Sequence, residues 1–329
     1  MFKKEIKRFQ GFFLNLILIW LVFLFYKSFS YYQNFLKQET YSTLFYLAVT
    51  YTILGFIYYF FISFEKIKIT KGELGFRLVF KTIKLKFKQI TKQEKVAFLF
   101  VVVKIFFIPI MLNFFFNNYF SFKNQFSQLN ISSLFSVYGF NNLISPFALT
   151  TIFLVDTLWF SFGYMFEAGI LKNTIRSVEP TFLGWAVTLA CYPPFNTFLV
   201  GYIDWFANDY VIFSTPIITT IIRIIIIFLL LIYVGASLSL GTRCSNLTNR
   251  GIVTRFPYSI IRHPAYISKN LAWWLTIIPV ASIPAILSMS AWSFIYHLRT
   301  ITEEKHLSAD ADYIEYKKKV KWKYIPGVY

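Results

Sequence analysis

A polar segment with the residue types of an active site lies directly before an apolar stretch near the C-terminus. The segment RHPAYISKNLAWW begins at Arg262 and continues into apolar residues without a linker. A second polar segment, RTITEEKHL, begins at Arg299 and contains the neighbouring pair Glu303 and Glu304. Guanidinium groups bind carboxylates, and carboxylate or imidazole groups accept protons from reacting groups. The two segments therefore hold groups for binding an anionic molecule and for acid–base chemistry.

The chain between these segments predicts a membrane hairpin. Two short apolar stretches, 267–279 and 282–298, meet at Pro279 and Pro284, and proline stops or bends a helix. A hairpin folded back at this point is expected to bring the two polar segments together.

The second polar segment is expected to continue the last helix of the hairpin. On such a helix Arg299, Glu303 and His306 share one face. Arg299 and Glu303 are four residues apart, and this spacing also predicts an ordinary surface ion pair. The spacing alone therefore does not establish a catalytic role.

The elements that must position these groups are membrane helices. Of the 329 residues, 57% are hydrophobic and 22% aromatic, and the mean hydropathy is +0.55. Several apolar runs exceed the roughly 18 residues of a membrane-spanning candidate, and none alternates as a barrel strand would. The fold class is therefore all-α and polytopic, with a C-terminal helical hairpin and a cytoplasmic C-terminal segment. Eight apolar segments are predicted, at 12–27, 41–64, 96–116, 146–170, 181–206, 216–240, 267–279 and 282–298.

The charge distribution predicts the orientation. With the N-terminus inside and eight crossings, 27 of the 33 Lys and Arg residues lie in cytoplasmic segments. Both termini are therefore predicted to be cytoplasmic, in a multi-pass integral membrane protein. The basic loop 65–95 is expected to lie on anionic lipid at that face, and the charge of +18 needs no nucleic-acid partner. The nearly uncharged segment 117–145 is expected to be an outside loop or an interfacial helix.

The sequence divides into two regions by motif. Residues 1–240 form a predicted membrane region of six spans, and residues 241–329 form the region that contains the polar segments. Neither a dinucleotide-binding glycine motif nor a phosphate-binding loop is present. The two cysteines and three histidines have no metal-site spacing, so no metal is expected, and no signal indicates an oligomeric state.

The C-terminal region resembles the isoprenylcysteine carboxyl methyltransferase family and its phospholipid methyltransferase relatives. The resemblance covers about 245–329, near a quarter of the chain. It is carried by SNLTNRG (245–251), PY (257–258), RHPAY (262–266), KNLAWW (269–274), the glutamate pair of RTITEEKHL (299–307) and the tail DYIEYKKKVKWKYIP (312–326).

The resemblance implies an integral membrane enzyme that uses S-adenosylmethionine and methylates a lipid-like or prenylated acceptor. Carboxyl O-methylation of a prenylated cysteine is the most similar activity. Carried over by position, the implied catalytic residues are Arg262, Arg299 and Glu303. The implied cofactor-binding residues are Tyr258, His263, Pro264, Tyr266, Glu303 and Glu304. Asn270 and Trp274 would face the junction between cofactor and lipid.

Ionisable residues within the upstream spans form a second set of candidates. Asp156 and Glu167 are 11 residues apart, about three helical turns, so they are predicted to share one face. Charged groups in spans are costly and suggest function. The face is expected to line an acceptor cavity or to pair with Arg223, and a purely structural buried pair is the alternative.

Three other functions remain open from the sequence. A phospholipid amine could be the acceptor, and a sterol-reductase-type membrane reductase using NADPH has a related C-terminal architecture. A transporter is disfavoured because no internal repeat is found and the polar cluster lies at one membrane face.

Overall fold

The structure is a computed structural model that describes residues 2–63, 68–129 and 136–328. The described chain is mostly helical, and its one small sheet has two short strands. It forms two units, Met1–Phe116 and Asn117–Tyr329. These units are not the two regions divided by motif at residue 240, and that division stays a prediction about function.

The first unit contains helices α1 to α4 and most of α5. Their bounds are α1 Phe2–Ser28, α2 Ser30–Phe35, α3 Gln38–Phe61, α4 Lys71–Ile83 and α5 Lys92–Gln128. The helix α1 packs on α3 and α4. Tyrosine hydroxyls reinforce this packing, since Tyr41 donates to the Tyr26 carbonyl at 2.9 Å and Tyr26 to the Ile105 carbonyl at 2.7 Å.

The basic loop of the first unit contains the amphipathic helix α4. Its cap is Thr70, whose hydroxyl accepts from the Glu73 N–H at 3.1 Å. Phe80, Ile83 and Leu85 are exposed beside the lysines of this segment. Contact with anionic lipid stays a prediction, and residues 65–67 of the loop lie outside the described residues.

The second unit contains the remaining helices and the sheet. The helices are α6 Val137–Gly139, α7 Ser145–Met165, α8 Phe182–Leu189, α9 Phe195–Val200, α10 Pro216–Leu240, α11 Pro264–Thr276, α12 Ile283–Leu307 and α13 Ala311–Lys319. Strands β1 Ser177–Val178 and β2 Thr248–Asn249 pair antiparallel. The long apolar helix α10 packs against α7 and α11, and α12 packs against α8.

Within the part of the chain that the structure describes, five helices are long and apolar enough to cross a membrane. They are Phe9–Ser28, Gln38–Phe61, Lys92–Gln128, Val137–Met165 and Pro216–Arg243. The chain is therefore an integral membrane protein of helical spans, as predicted. The count of eight spans is not confirmed.

The predicted fifth span, 181–206, is not one helix. The helix α8 ends at Leu189, turns occupy 190–194, and α9 has six residues. Pro193 and Pro194 explain the break, because proline lacks the N–H that a continuous helix requires.

The segment 117–145, predicted to be an outside loop or an interfacial helix, is partly helical. The helix α5 continues through residues 117–128, since this stretch has no helix-breaking proline or glycine. A π-helical turn, Phe140–Ile144, leads into α7. Residues 130–135 lie outside the described residues.

The C-terminal hairpin folds as the prolines predict. Pro264 begins α11, a short 3-10 turn spans Ile278–Val280, and Pro284 lies in the first turn of α12. Proline is favoured in the first turn of a helix, where its missing N–H has no helical partner. The hydroxyl of Ser282 caps α12 by accepting from the Ala285 N–H at 3.3 Å.

Candidate functional site

The two polar segments meet at the carboxylate of Glu304. One oxygen of this carboxylate accepts from Arg262 Nε at 2.9 Å and lies 3.0 Å from His263 Nε2. The other oxygen accepts from Lys317 at 3.3 Å. Burial alone would raise the pKa of Glu304, but the hydrogen bonds from His263 and Arg262 outweigh burial and hold the pKa well below its usual range. Glu304 is therefore ionised, and it joins the start of α11 to the end of α12.

The C-terminal tail is fastened to the same two residues. Arg262 N–H groups donate to the carbonyls of Val320 at 2.9 Å and Trp322 at 3.0 Å. The backbone N–H of His263 donates to the Lys323 carbonyl at 3.0 Å. These bonds use the Arg262 donors for structure, so the tail, α11 and α12 form one assembly. The catalytic role predicted for Arg262 is untested by this geometry.

Glu303 and Tyr266 form a second contact between the hairpin helices. The Tyr266 hydroxyl donates to Glu303 Oε2 at 2.9 Å. Both side chains line a cavity between the polar segments and the membrane helices. The contact leaves Glu303 Oε1 without a protein hydrogen bond among the described residues, so this oxygen can accept a bond from a bound molecule.

Arg299 does not form the predicted ion pair with Glu303. Its guanidinium instead donates to Asn246 Oδ1 at 3.2 Å. The group lies 5.2 Å from the Tyr296 ring centroid and 5.3 Å from that of Tyr266. The i,i+4 spacing is thus overridden by tertiary contacts, because Asn246 and the tyrosine rings hold the guanidinium at the cavity.

The SNLTNRG segment is held against α7. The hydroxyl of Tyr164 accepts from the Asn246 backbone N–H at 2.8 Å and lies 2.7 Å from its side-chain amide. Gly163 allows this approach, since a Cβ there would lie 2.0 Å from the Cys244 carbonyl oxygen. The helix α7 therefore positions Asn246, which in turn contacts Arg299.

A segment between α7 and α8 closes one side of the cavity. Arg176 forms ion pairs with Asp310 at 2.8 Å and Asp312 at 2.5 Å, and β1 pairs with β2. The Ser177 hydroxyl lies 2.8 Å from His306 Nε2. Burial lowers the pKa of His306, although nearby carboxylates oppose the shift, so the imidazole is neutral at neutral pH. No motif in the sequence identified this segment.

The cavity has a volume of about 210 Å³. Six of the residues selected from the sequence line it: Tyr258, Arg262, His263, Tyr266, Arg299 and Glu303. Pro264, Glu304, Asn270, Trp274, Asp156 and Glu167 are not among its lining residues. The structure thus brings half of the selected residues to one space, while their roles stay predictions.

Asn270 and Trp274 join α11 to α12. The Trp274 indole donates to the Ser293 hydroxyl at 2.9 Å, and that hydroxyl donates to Asn270 Oδ1 at 2.9 Å. This chain of bonds holds the hairpin closed. Contact with an acceptor, predicted for both residues, is untested.

The face predicted to carry Asp156 and Glu167 does not exist as a helix face. The helix α7 ends at Met165, and Glu167 lies in the following loop, where it accepts from the Ile175 N–H at 2.9 Å. Asp156 lies within α7, buried, and accepts from the Tyr233 hydroxyl at 2.6 Å. Arg223 does not pair with either acid.

Arg223 instead binds backbone carbonyls. It donates to the carbonyls of Tyr210 at 3.0 Å and Val211 at 3.1 Å, and to that of Asn141. A buried guanidinium needs hydrogen-bond acceptors for its N–H groups, and these carbonyl oxygens provide them. This arginine therefore fixes a non-helical segment before α10.

Several lining residues were missed from the sequence. They are Glu179, Tyr192, Tyr233, Lys269 and Tyr313. Lys269 carried a detectable signal, since an ionisable residue within an apolar segment suggests function. Tyr313 lies in the tail motif that carries the resemblance. Tyr192 and Tyr233 gave no signal, because tyrosines in membrane proteins commonly serve as interface anchors.

Comparison with known proteins agrees with the site's location. Residues 214–310 match the sequence model of the phospholipid methyltransferase family. The matched region contains α10, α11, α12 and both polar segments. Comparisons with curated proteins and with solved structures gave no match. The family match indicates a membrane methyltransferase region, consistent with the resemblance seen in the motifs.

Proposed function

We propose that this protein is an S-adenosylmethionine-dependent methyltransferase that modifies a lipid-like acceptor. The most similar activity is carboxyl O-methylation of a prenylated cysteine. The observation that carries the proposal is the composition of the cavity wall. Motif residues Tyr258 and Glu303 share that wall with Phe160 and Tyr233 of the spanning helices α7 and α10. A polar cofactor and a lipid acceptor can therefore reach one space.

The residues present fit such a cofactor. The Tyr313 hydroxyl is buried without a hydrogen-bond partner among the described residues, and Tyr313 lines the cavity. A buried hydroxyl without a partner is costly, so a ligand that bonds to it is favoured. Tyrosine rings, a carboxylate and guanidinium groups in one wall suit a molecule with an aromatic base and a charged amino-acid end.

The protein groups divide into holding and positioning roles. Glu303 would accept hydrogen bonds from the cofactor's polar groups through its free oxygen, and Tyr266 orients that carboxylate. Glu304, Arg262 and His263 would keep the cavity wall in place through their mutual bonds. Arg299 would orient the acceptor through its remaining N–H groups. The hydrogen bond to Asn246 fixes the direction in which those groups point.

S-adenosylmethionine, when bound, would supply an electrophilic methyl group on a positively charged sulfur. Transfer to a carboxylate oxygen would form a C–O bond, and the electron pair of the broken C–S bond would stay on sulfur. Such a transfer depends on proximity and alignment more than on a strong base. An ionised carboxylate has no proton to lose. The chain therefore needs only to align the acceptor and to exclude water.

A phospholipid amine is the second candidate acceptor. The name of the matched family favours it. An amine must lose a proton during methylation, and the neutral imidazole of His306 or the carboxylate of Glu303 could accept it. The match to a methyltransferase family favours both candidates over an NADPH-dependent reductase or a transporter.

Cofactor binding tests the proposal. Calorimetry on the full-length protein in detergent should detect micromolar binding of S-adenosylhomocysteine, the demethylated product. Glu303→Gln should weaken binding by about tenfold to a hundredfold, the value of a lost charged hydrogen bond. The control is Glu315→Gln, an exposed glutamate of α13. NADPH binding without S-adenosylhomocysteine binding would favour the reductase and contradict the proposal.

A further inference from the structure

Two basic side chains of the C-terminal hairpin line the cavity. Lys269 belongs to α11 and Arg299 to α12, and both line the cavity. Lys269 is five residues after Pro264, so it lies about 7.5 Å along the helix axis from the start of α11. Both side chains thus lie on the side of the cavity formed by the C-terminal hairpin.

The ammonium of Lys269 lies in an aromatic cradle. Its Nζ is 4.7 Å from the Tyr233 ring centroid, 5.3 Å from that of Trp273 and 5.7 Å from that of Phe153. Ring faces stabilise a cation but do not replace hydrogen-bond acceptors, and an ammonium has three N–H donors. Within the described ranges, the structure gives Lys269 Nζ neither a hydrogen bond nor an ion pair closer than 4.0 Å.

Two carboxylates attract Lys269 from a distance. Asp156 and Asp209 interact with it electrostatically, but neither is among the residues that line the cavity. The oxygen Oδ2 of Asp156 already accepts from Tyr233 at 2.6 Å, and the tyrosine ring is part of the cradle. Neither carboxylate pairs with Lys269 within 4.0 Å among the described residues, so neither uses the N–H donors of the lysine.

The guanidinium of Arg299 also has N–H groups without a hydrogen-bond acceptor among the described residues. Arg299 is 6% exposed, and among the described residues its one side-chain hydrogen bond goes to Asn246. A guanidinium has five N–H donors, so several have no protein acceptor. Lys269 and Arg299 also repel each other. An anion bound between them would relieve the repulsion and satisfy donors on both side chains.

The charged residues that line the cavity are mostly basic. The basic residues outnumber the acidic ones, and they are Arg243, Arg250, Arg262, Lys269 and Arg299. The acidic residues Glu179 and Glu303 already accept hydrogen bonds from Thr181 and Tyr266. A lipid ammonium would find the aromatic cradle beside Asp156 filled by Lys269.

We infer that Lys269 and Arg299 together bind the anionic group of the acceptor, a carboxylate, and that Lys269 excludes a cationic head group. The inference rests on the proposed function and names its substrate class. A phospholipid amine would place a phosphate and an ammonium side by side. The cavity offers a site for the anion, while the cradle suited to the cation is occupied. A terminal carboxylate requires only the first of these sites.

The test compares acceptor probes on the full-length protein in lipid nanodiscs. The probes are a farnesylated N-acetylcysteine with a free carboxylate, the same molecule as a neutral amide, and lysophosphatidylethanolamine. The carboxylate should bind at least about tenfold more tightly than the amide, the value of one charged hydrogen bond. Equal binding of carboxylate and amide, or tighter binding of the lysophospholipid, would overturn the inference without any mutation.

Variants then assign the effect to Lys269. Lys269→Met keeps the apolar stem and removes the charge, so it should weaken carboxylate binding by about tenfold to a hundredfold. Lys269→Arg should restore most of it. The matched control is Lys305→Met, which removes an exposed lysine of α12. An unchanged carboxylate affinity in Lys269→Met would overturn the assignment.

Cofactor binding separates the two proposals. S-adenosylhomocysteine should bind Lys269→Met and the parent protein equally. A loss confined to the variant would assign Lys269 to the cofactor's own carboxylate and overturn the acceptor role. Failure of the parent to bind S-adenosylhomocysteine would contradict the proposed function, while the comparison of carboxylate with amide would still decide whether Lys269 and Arg299 bind an anion.

Discussion

Arg262 and Glu304, 42 residues apart in sequence, form a hydrogen-bonded ion pair of 2.9 Å between the two ends of the C-terminal hairpin. Both side chains are largely buried, with exposed fractions of 9% and 11%. When one partner of a buried ion pair is removed, the other is left as a buried charge without a counter-charge, and this destabilises the fold. The pair therefore makes the closed hairpin, and with it the cavity, depend on one carboxylate.

Replacing this carboxylate should destabilise the protein strongly. Glu304→Gln is expected to lower the free energy of unfolding by about 3 kcal/mol, because Arg262 would remain buried without a counter-charge. Denaturant unfolding in detergent micelles measures the change. Glu315→Gln serves as the exposed control. A loss no larger than that of the control would show that Arg262 is satisfied by the tail carbonyls alone.

The same carboxylate predicts a loss of stability in acid. Hydrogen bonds outweigh burial to depress the pKa of Glu304, and bonds from Arg176 and Asn249 do the same for Asp310. A depressed carboxyl pKa adds stability above the unfolded value of about 4. This contribution is lost as the pH falls from about 4 through the folded pKa. Unfolding midpoints measured between pH 7 and pH 3 should fall steeply for the parent and less steeply for Glu304→Gln; parallel curves would argue against the assignment.

Gly163 should tolerate no side chain. An added Cβ would lie 2.0 Å from the Cys244 carbonyl oxygen, so backbone must move. Gly163→Ala is expected to cost about 1–3 kcal/mol, as overpacking does, and to weaken S-adenosylhomocysteine binding by displacing Asn246. The matched control is Gly235→Ala in α10, where an added Cβ meets nothing within 4 Å. Alanine is the better helix former, so the control should be neutral or stabilising. Equal stabilities of the two variants would contradict the close approach of α7.

Tyr313 provides a test in which stability and binding move in opposite directions. Its buried hydroxyl has no hydrogen-bond partner among the described residues, so Tyr313→Phe should raise the free energy of unfolding of the ligand-free protein by about 1 kcal/mol. The same change should weaken S-adenosylhomocysteine binding several-fold if the hydroxyl bonds to the cofactor. Thermal unfolding with and without the ligand measures both effects. Loss of stability without ligand would mean that the hydroxyl is satisfied within the protein.

Local sequence signals predicted much of the fold. Long apolar runs predict spans, and five helices among the described residues meet that expectation. Pro279 and Pro284 predict the hairpin, because proline acts on the adjacent turn whatever the tertiary context. The motif residues were found by resemblance, and Glu304, Arg262 and His263 do meet in space.

Two other predictions were wrong because hydropathy and spacing do not show where a helix ends. The stretch 181–206 is mostly apolar, yet Pro193 and Pro194 divide it into two short helices. Asp156 and Glu167 have helical spacing, yet the helix ends between them at Met165. A spacing rule holds only where the chain is helical, and this chain leaves the helix before Glu167.

The sequence by itself determined the membrane setting, the hairpin and the polar residues at its ends, since hydrophobicity, proline and residue type act locally. Only the tertiary structure decided which side chains share the cavity. Arg299 contacts Asn246, 53 residues away, instead of Glu303 one turn along its own helix. Lys269 is surrounded by rings from three helices, and Tyr233 comes from α10. The physical reason is that the site is made of long-range contacts, and the energy of a buried charge depends on which distant groups are packed around it.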